Sequence, residues 1–310
     1  MLWWEILITV AASLALLLIL ITRYTYSVAF MRKPQREGKF KTGDDEVDKR
    51  LEKMRTELEA LPYEEVVVSS HDGLKLVGRL YLKDESRPFE IQIHGYRSNP
   101  TRDFSGGGTE VLLRGDNLLL VYHRAHGKSE GRTICFGIKE RYDVRTWAEY
   151  IVGRFGENVR ISLAGVSMGG ATVLMASSLD LPKAVKYIVA DCPYSSPREI
   201  ISLVAGNMGF PRKITYPFIK LGAMIWGGFN PDSYSAVDAV KNTRLPIILL
   251  HGEADGFVPC DMSRKIKESS PENVTLFTFQ GADHGMSYTS NRDKYIGEIN
   301  KFREKYLIGE

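Results

Sequence analysis

Cysteine is scarce in this chain, and its three cysteines are widely separated. Cys135, Cys192 and Cys260 form no CxxC pair and have no metal-type spacing. An odd number of isolated thiols does not build a disulfide framework and is typical of reduced cysteines in a core. No His, Cys or Asp cluster has the spacing of metal ligands either, so we expect no metal site.

An excess of charge of one sign is also missing. The 310 residues carry a formal net charge of +3 and are 44% hydrophobic, which is ordinary globular composition. So small an imbalance gives no electrostatic argument for nucleic acid as a partner. HGKS (126–129) lacks the first glycine of a P-loop, because that position is Tyr122, and SGGGTE (105–110) contains no G-x-G-x-x-G. We therefore expect no nucleotide and no other cofactor.

Charge is almost absent from a long stretch at the N-terminus. LWWEILITVAASLALLLILIT, from Leu2 to Thr22, has Glu5 as its only charged residue, and about 20 apolar residues are what a helix needs to cross a bilayer. Trp and Tyr residues flank the run, as at membrane interfaces. A cleaved signal peptide is the alternative, but no Lys or Arg precedes the run, which is long for a signal sequence. We predict a retained transmembrane anchor over residues 1–23.

The segment after the anchor, residues 24–62, is predicted to be a basic linker followed by an amphipathic helix. Apolar residues repeat at spacings of four and three from Val47 to Leu61, which places them on one helix face, and Pro62 ends the helix. The positive-inside rule then predicts that the following domain is cytoplasmic. The basic residues that support this orientation are Arg23, Arg32, Lys33, Arg36, Lys39 and Lys41.

From residue 63 onward the pattern predicts strands alternating with helices. Two strands around the turn HDG, 64–70 and 74–83, indicate an antiparallel hairpin. Later runs are continuously apolar, which is typical of parallel strands buried on both faces. Residues 63–310 are therefore predicted to be one α/β domain with a doubly wound, mostly parallel sheet. The further strands are predicted at 89–95, 117–123, 160–165, 185–191, 246–252 and 274–281, and helices at about 139–155, 169–180, 258–269 and 289–307.

One segment, at about residues 193–236, interrupts the alternation. It separates two strands by far more than a usual connection and is rich in Ile, Met, Phe and Trp. An apolar insertion that leaves the carboxyl edge of a sheet is expected to cover a site. We predict that it is a lid.

The pentapeptide GVSMG joins a predicted strand to a predicted helix, with Ser167 at its centre. It fits G-x-S-x-G, a sharp turn that holds a serine above the sheet edge, and the glycines Gly165 and Gly169 avoid Cβ clashes. A serine hydroxyl needs a base to take its proton, and the imidazole of His suits that role. We interpret Ser167 as a nucleophile rather than as a turn residue.

Chain order selects the base and the acid. Where this turn carries a nucleophile, the order is Ser, acid, His, and only His251 and His284 follow Ser167. His284 follows the last predicted strand and is the predicted base, since His251 lies at the strand end that also supplies the acid. Asp255 is the predicted acid, with Asp191 as the alternative.

Two backbone amides are predicted to bind the negative charge that develops on a substrate oxygen. One is the amide of Met168, directly after the nucleophile. The other is expected from the loop after the strand IQIHG, where Tyr96 is the candidate.

The motifs together resemble the α/β-hydrolase superfamily, in particular membrane-anchored bacterial serine hydrolases related to the catalytic domain of prolyl oligopeptidases. The matching stretches are IHGYRSNP, HRAHGKSEG, GVSMGG, DCPYSS, HGEADGFVPC and GADHGMSY, in the family's order from about residue 90 to 290. The resemblance implies the α/β-hydrolase fold and the same assignments: triad Ser167, Asp255 and His284, oxyanion donors Tyr96 and Met168. One departure is His123, where relatives often have Asp in a position that supports loops.

The expected function is a membrane-tethered serine hydrolase that cleaves carboxylic esters or thioesters with a hydrophobic acyl part through an acyl-enzyme. A serine peptidase is the first alternative, although no upstream segment is long enough for the propeller of the oligopeptidases. A non-catalytic binding protein on the same fold is the second. The expected partners are a small-molecule or lipid ester and the membrane, through the N-terminal helix. The sequence leaves the oligomeric state open.

Overall fold

The computed structural model describes residues 2–34, 40 and 42–308, and its centre is an eight-stranded sheet. Each strand predicted from the sequence is present within a few residues of its predicted bounds. The strands are β1 (Glu64–Ser69), β2 (Lys75–Tyr81), β3 (Phe89–Ile93), β4 (Asn117–Val121), β5 (Ile161–Val166), β6 (Val185–Asp191), β7 (Ile247–Gly252) and β8 (Val274–Phe279).

The strands lie in the order β1-β2-β4-β3-β5-β6-β7-β8. β1 and β2 form the predicted antiparallel hairpin, and β2 also pairs antiparallel with β4. All other neighbouring strands are parallel, so the predicted fold class is confirmed. Because parallel strands end at the same edge of a sheet, the loops after β3, β5, β7 and β8 can contribute to one site.

Helices cover both faces of this sheet. The predicted helices correspond to α1, α2, α5, α6, α10 and α12, and the others were not predicted individually. The helices are α1 (Trp3–Ala29), α2 (Asp45–Ala60), α3 (Pro100–Asp103), α4 (Ser105–Leu113), α5 (Glu140–Phe155), α6 (Met168–Ala176), α7 (Pro197–Asn207), α8 (Arg212–Gly227), α9 (Ala236–Lys241), α10 (Asp261–Ser269), α11 (Ser287–Ser290) and α12 (Arg292–Arg303), followed by a π-helical turn, Glu304–Ile308.

The side chains along each strand point alternately to the two faces of the sheet, so the core has two layers. On one face, Leu163 and Leu249 pack with residues of α5, α6, α9 and α10. On the other face, Ala164 and Leu250 pack with residues of α12, and Leu118 packs with residues of α4. Since successive strand residues point to opposite faces and both are covered, the central strands are apolar throughout. This accounts for the continuous apolar runs in the sequence.

The N-terminal helix α1 has an exposed part and a packed part. Almost every side chain from residue 2 to 20 is exposed, whereas Thr22, Tyr26 and Phe30 are buried in the domain. The helix is long and apolar enough to span a membrane, with a mean hydropathy of 2.5 over its most apolar window. It continues to Ala29, past the predicted end of the anchor at residue 23, because its last turns pack against the fold.

Helix α2 is the amphipathic helix predicted after the linker. Asp44 caps its start by accepting hydrogen bonds from the amides of Glu46 and Val47. Leu51 and Leu58 are buried, and Leu58 packs with residues of α4. The predicted basic linker residues Arg36, Lys39 and Lys41 lie outside the described residues.

The predicted insertion at 193–236 is built mainly of α7 and α8. These helices pack on each other, and α8 also packs along α1. Their buried residues, including Ile200, Ile201 and Ile219, join a cluster that contains Tyr26 and Phe30. The insertion therefore connects the membrane-length helix to the sheet domain.

Candidate active site

Ser167 lies in a tight turn between β5 and α6. Its φ of 55° is in a region that non-glycine residues rarely adopt. A Cβ on Gly169 would collide with the backbone carbonyl of Ile93, and one on Gly165 would collide with the backbone of Gly169. Glycine is thus required at both positions for the strand and the helix to approach this closely, and the turn presents Ser167 at the carboxyl edge of the sheet.

His284, in the loop after β8, lies between Ser167 and Asp255. Its Nε2 is 3.0 Å from Ser167 Oγ, and its Nδ1 is 2.7 Å from Asp255 Oδ2. Both distances are those of hydrogen bonds. The three side chains selected from the sequence are therefore in contact in the order that allows a proton to move from the hydroxyl to the imidazole.

The carboxylate of Asp255 is buried and held from several directions. Oδ1 accepts hydrogen bonds from the amides of Phe257, at 2.9 Å, and Val258, at 2.7 Å. Oδ2 lies 3.2 Å from His251 Nε2 as well as next to His284. Burial opposes ionisation, but the hydrogen bonds from His251 and His284 outweigh it and hold the pKa of Asp255 below its ordinary value. The carboxylate is consequently ionised at neutral pH.

The imidazole of His284 is partly enclosed by Cys192 and Phe257. Cys192 Sγ lies 4.0 Å from Nε2, and the Phe257 ring packs edge-on with its centroid 5.1 Å away. Burial alone would lower the pKa of His284, but the hydrogen bond to Asp255 and the charge of that carboxylate raise it above its ordinary value. His284 therefore stays protonated to a higher pH than a free histidine.

Cys192, Asp255 and His284 also lie close enough together to be considered as metal ligands. One atom from each falls within 4.8 Å of the others. Both nitrogens of His284 are engaged, however, one with Ser167 and the other with Asp255. This pairing suits proton transfer better than metal coordination.

Asp191, the alternative acid, ends β6 and makes different contacts. Its carboxylate accepts hydrogen bonds from Ser287 Oγ at 3.3 Å and from the Tyr295 hydroxyl at 3.1 Å. Burial raises the pKa of Asp191 to about 6. Of the two candidate carboxylates, Asp255 is the one that contacts His284, so the geometry favours it.

The loop after β3 is fixed by two side chains that sequence reasoning did not single out. Asp103 Oδ2 accepts the amide of Gly95 at 2.7 Å, and His126 Nε2 accepts the amide of Arg97 at 3.0 Å. The amide of Tyr96 lies between these two engaged amides. Tyr96 thus remains the candidate donor from this loop, and its partner, Met168, begins α6 directly after Ser167.

Three buried histidines, His94, His123 and His126, pack next to the loop after β3. The ring of His94 lies 4.9 Å, centroid to centroid, from those of His123 and His126. Burial lowers the pKa of His94 to about 4 and that of His126 to about 3, so His126 is neutral and able to accept from Arg97. His123 Nε2 lies 3.0 Å from the carbonyl of His94. The motif HRAHG could be recognised in the sequence, but its contacts with His94 and Arg97 could not.

A cavity of about 350 Å³ opens beside Ser167. It follows the sheet face covered by α4 and α12, with apolar walls such as Phe104 and Ile296 and with Glu90 and Gln92 also in its lining. Gly107 of α4 contributes no side chain and leaves room there.

The predicted lid does not line this cavity. Among the residues that the structure describes, those around the cavity belong to other elements than α7 and α8. The expectation that 193–236 covers the site is therefore not met here. The physical reason is that the insertion buries its apolar residues against α1 and the cluster around Phe30.

Comparison with known proteins identifies the family. Residues 136–310, more than half of the chain, match the model of the prolyl oligopeptidase family. The chain belongs to the prolyl oligopeptidase family. The match includes the positions of Ser167, Asp255 and His284, which agrees with the resemblance inferred from the motifs.

Individual relatives are distant. The uncharacterized protein YqkD of Bacillus subtilis is 24% identical over 189 residues, which cover 61% of this chain and 62% of YqkD. The thiohydrolase aneE of Aspergillus aculeatus is 32% identical over 145 residues, which cover 45% of this chain and 44% of aneE. Each match spans less than two thirds of the relative.

Among solved structures, the esterase Pf2001 of Pyrococcus furiosus is similar with a TM-score of 0.66 and 22% identity, covering 90% of this chain and 98% of that one. At this level of identity the likeness concerns the fold. The predicted α/β-hydrolase fold is confirmed.

Proposed function

We propose that this protein is a serine hydrolase that cleaves carboxylic esters or thioesters with a hydrophobic acyl part. The observation that carries the proposal is the pair of contacts made by His284, 3.0 Å to Ser167 Oγ and 2.7 Å to Asp255 Oδ2. The positive φ of Ser167 supports the same conclusion, since strained backbone is commonly retained where function requires it.

In the first half of the reaction, neutral His284 accepts the proton of Ser167 as Oγ attacks the substrate carbonyl. The negative charge on the carbonyl oxygen is stabilised by the amides of Met168 and Tyr96. The tetrahedral intermediate collapses, the bond to the leaving alcohol or thiol breaks, and His284 returns its proton to that group. The product is an acyl ester on Ser167.

In the second half, His284 takes a proton from a water molecule that attacks the acyl ester. A second tetrahedral intermediate forms and collapses, the bond between the acyl carbon and Ser167 Oγ breaks, and the proton returns to Oγ. The acid leaves. Asp255 stays ionised throughout and stabilises the imidazolium, which its hydrogen bonds from His251 and the backbone favour.

The substrate class is supported by the cavity. Its walls are mainly apolar, as expected for a hydrophobic acyl or alcohol group. The names of similar proteins, an esterase and a thiohydrolase, are consistent with ester and thioester bonds as substrates. The chemistry needs no cofactor, since proton transfer and amide donors supply the catalysis.

Membrane attachment through α1 is part of the proposal. Thr22, Tyr26 and Phe30 are buried in the domain, which supports a helix that remains in the mature protein rather than a cleaved signal. Arg23 and the basic residues that follow support a cytoplasmic domain. A C-terminal tag that is digested by protease added outside intact cells would contradict this orientation.

The test of catalysis is the Ser167→Ala variant, assayed on p-nitrophenyl esters of increasing acyl length. We expect turnover to fall by on the order of 10⁴-fold or more, as for loss of other triad nucleophiles. Ser177→Ala, at the residue that follows the end of the same helix α6, is the matched control and should keep full activity. Unchanged hydrolysis by Ser167→Ala, or failure of the native protein to react with a fluorophosphonate probe, would favour a non-catalytic binding protein.

A serine peptidase is the second candidate, because the chain belongs to the prolyl oligopeptidase family. The same triad would cleave an amide bond through the same acyl-enzyme. Comparing an aminoacyl p-nitroanilide with the matching aminoacyl ester separates the two functions. A kcat/KM for the amide close to that for the ester would favour the peptidase.

A further inference from the structure

The outer face of α8 is an exposed apolar stripe. Ile214, Met224 and Ile225 are exposed to 65%, 47% and 57%. Ile214 and Ile225 are about three turns apart and lie on one side of the helix, and Met224 is adjacent to Ile225. The preceding turn adds Met208 and Phe210, which are also exposed. Soluble domains rarely leave contiguous apolar surface of this kind in water.

The stripe does not result from a helix that fails to pack. The opposite face of α8 buries Tyr216, Ile219 and Ala223 in the domain core. The helix is therefore apolar on two sides, one facing the protein and one facing outward.

Helix α8 lies directly against α1. A Cβ on Gly222 would press on the backbone carbonyl of Thr22, so the two helices touch through their backbones. Thr25 Oγ1 donates to the carbonyl of Phe218 at 3.3 Å, and the Trp226 indole donates to Thr22 Oγ1 at 3.2 Å. The end of α8 thus lies at the level where α1 leaves the domain.

The length of the exposed part of α1 fixes where the membrane surface would lie. Residues 3–20 span about 27 Å at 1.5 Å per residue, close to the roughly 30 Å of a bilayer's hydrocarbon core. If these residues cross the bilayer, Thr22 and Trp226 come to the interface. Arg23 lies 5.9 Å from the Trp226 ring, and Trp and Arg are both residues that favour this depth.

We propose that the outer face of α8 is a second membrane-binding element that lies in the interface of the bilayer spanned by α1. The end of the stripe, at Met224 and Ile225, would enter the boundary between headgroups and acyl chains, while Arg23, beside Trp226, faces anionic headgroups. The bilayer is the occupant favoured over a second copy of the chain, because the stripe adjoins the helix that enters the membrane. The inference rests on the proposed membrane span and is independent of the proposed catalysis.

The test uses the full chain in nanodiscs that contain phosphatidylglycerol, with one copy per disc. A single cysteine replaces Ile225 and is labelled with an environment-sensitive fluorophore. Background labelling should be low because Cys135, Cys192 and Cys260 are buried, and the unsubstituted protein measures it. The Leu14→Cys protein reports on α1. Leu113→Cys is the matched control, because Leu113 is also exposed but precedes β4, at the amino edge of the sheet.

We expect the label at 225 to be quenched by lipids with a nitroxide near the headgroup and to have a several-fold lower iodide quenching constant than the label at 113. A label at 225 that matches the one at 113, while the label at 14 is lipid-quenched, would overturn the proposal and leave the anchor intact. A label at 14 without lipid quenching would instead refute the anchor. Shielding at 225 that appears only with two copies per disc would identify a dimer interface and also overturn the proposal. Met224→Cys provides an independent second position.

Discussion

The hydroxyl of Tyr96 donates a hydrogen bond to the backbone carbonyl of Ala29 at 2.8 Å. Ala29 is the last residue of α1, and Tyr96 belongs to the loop whose amide is predicted to bind the oxyanion. Arg97 adds hydrogen bonds from its guanidinium to the carbonyls of Val28 and Met31, at 2.6 and 3.3 Å. The end of the N-terminal helix and the candidate oxyanion loop are therefore one packed unit, so changes at their contact should affect turnover.

The Tyr96→Phe variant tests this contact. Losing the hydroxyl removes one hydrogen bond, which contributes about 1 kcal/mol. Because this hydrogen bond positions the oxyanion loop, we expect a similar loss of transition-state stabilisation, which corresponds to a fall in kcat of about fivefold. KM should change little, since the ring and the backbone remain. Tyr81→Phe is the control, because its hydroxyl also donates to a carbonyl, that of Leu58, away from Ser167. Equal kcat in the Tyr96→Phe and native proteins would show that the contact does not position the loop.

His251 is predicted to be a positioning residue that acts through Asp255. Its Nε2 lies 3.2 Å from Asp255 Oδ2, and its Nδ1 lies 2.6 Å from Ser263 Oγ. We expect His251→Phe to lower kcat by about 10- to 100-fold, from the roughly 1.5–3 kcal/mol of a hydrogen bond to a charged group. His251→Gln, which retains a donor, should recover part of the loss. If His251→Phe and His251→Gln lower kcat equally, and circular dichroism shows that both variants are folded, the predicted role of His251 as a hydrogen-bond donor to Asp255 is wrong.

Sequence reasoning selected Ser167, His284 and Asp255 because their signals are local. Each residue directly follows an apolar run that reads as a strand, and parallel strands end at one edge whatever the details of packing. Asp191 is the alternative acid because it also follows such a run. The fold separates the two, since Asp255 contacts His284 whereas Asp191 contacts Ser287 and Tyr295.

Other features depend on contacts between distant parts of the chain and could not be read locally. Helix α4 begins at Ser105 and continues with three consecutive glycines, which are poor helix formers. It is held by packing such as that of Gly108 against Leu118 and Leu58. The pairing of α8 with α1 joins segments about 200 positions apart. An apolar insertion indicated burial, but the sequence did not reveal that its partner is the N-terminal helix.

The pH dependence of activity should reflect the raised pKa of His284. Protonated His284 cannot accept the proton of Ser167, so kcat/KM should rise with pH through the pKa of the free enzyme. Because the ionised Asp255 raises that pKa, we expect half-maximal kcat/KM for a neutral ester above the ordinary value of about 6.5. A midpoint at or below that value would contradict the assignment.

Gly107→Val tests whether the cavity along α4 holds the substrate. A Cβ at Gly107 would lie 3.5 Å from Phe104 and 3.8 Å from Gln92, in ordinary contact, so the larger part of the new side chain would enter the cavity. We expect KM to rise steeply with acyl length while hydrolysis of an acetyl ester stays near native, since a short acyl group does not reach that depth. Gly153→Val, at a helical glycine of α5 with open space around it, controls for the effect of valine on helix stability. If the long-chain and acetyl esters are affected equally, the acyl group occupies another surface, and the cavity does not determine chain length.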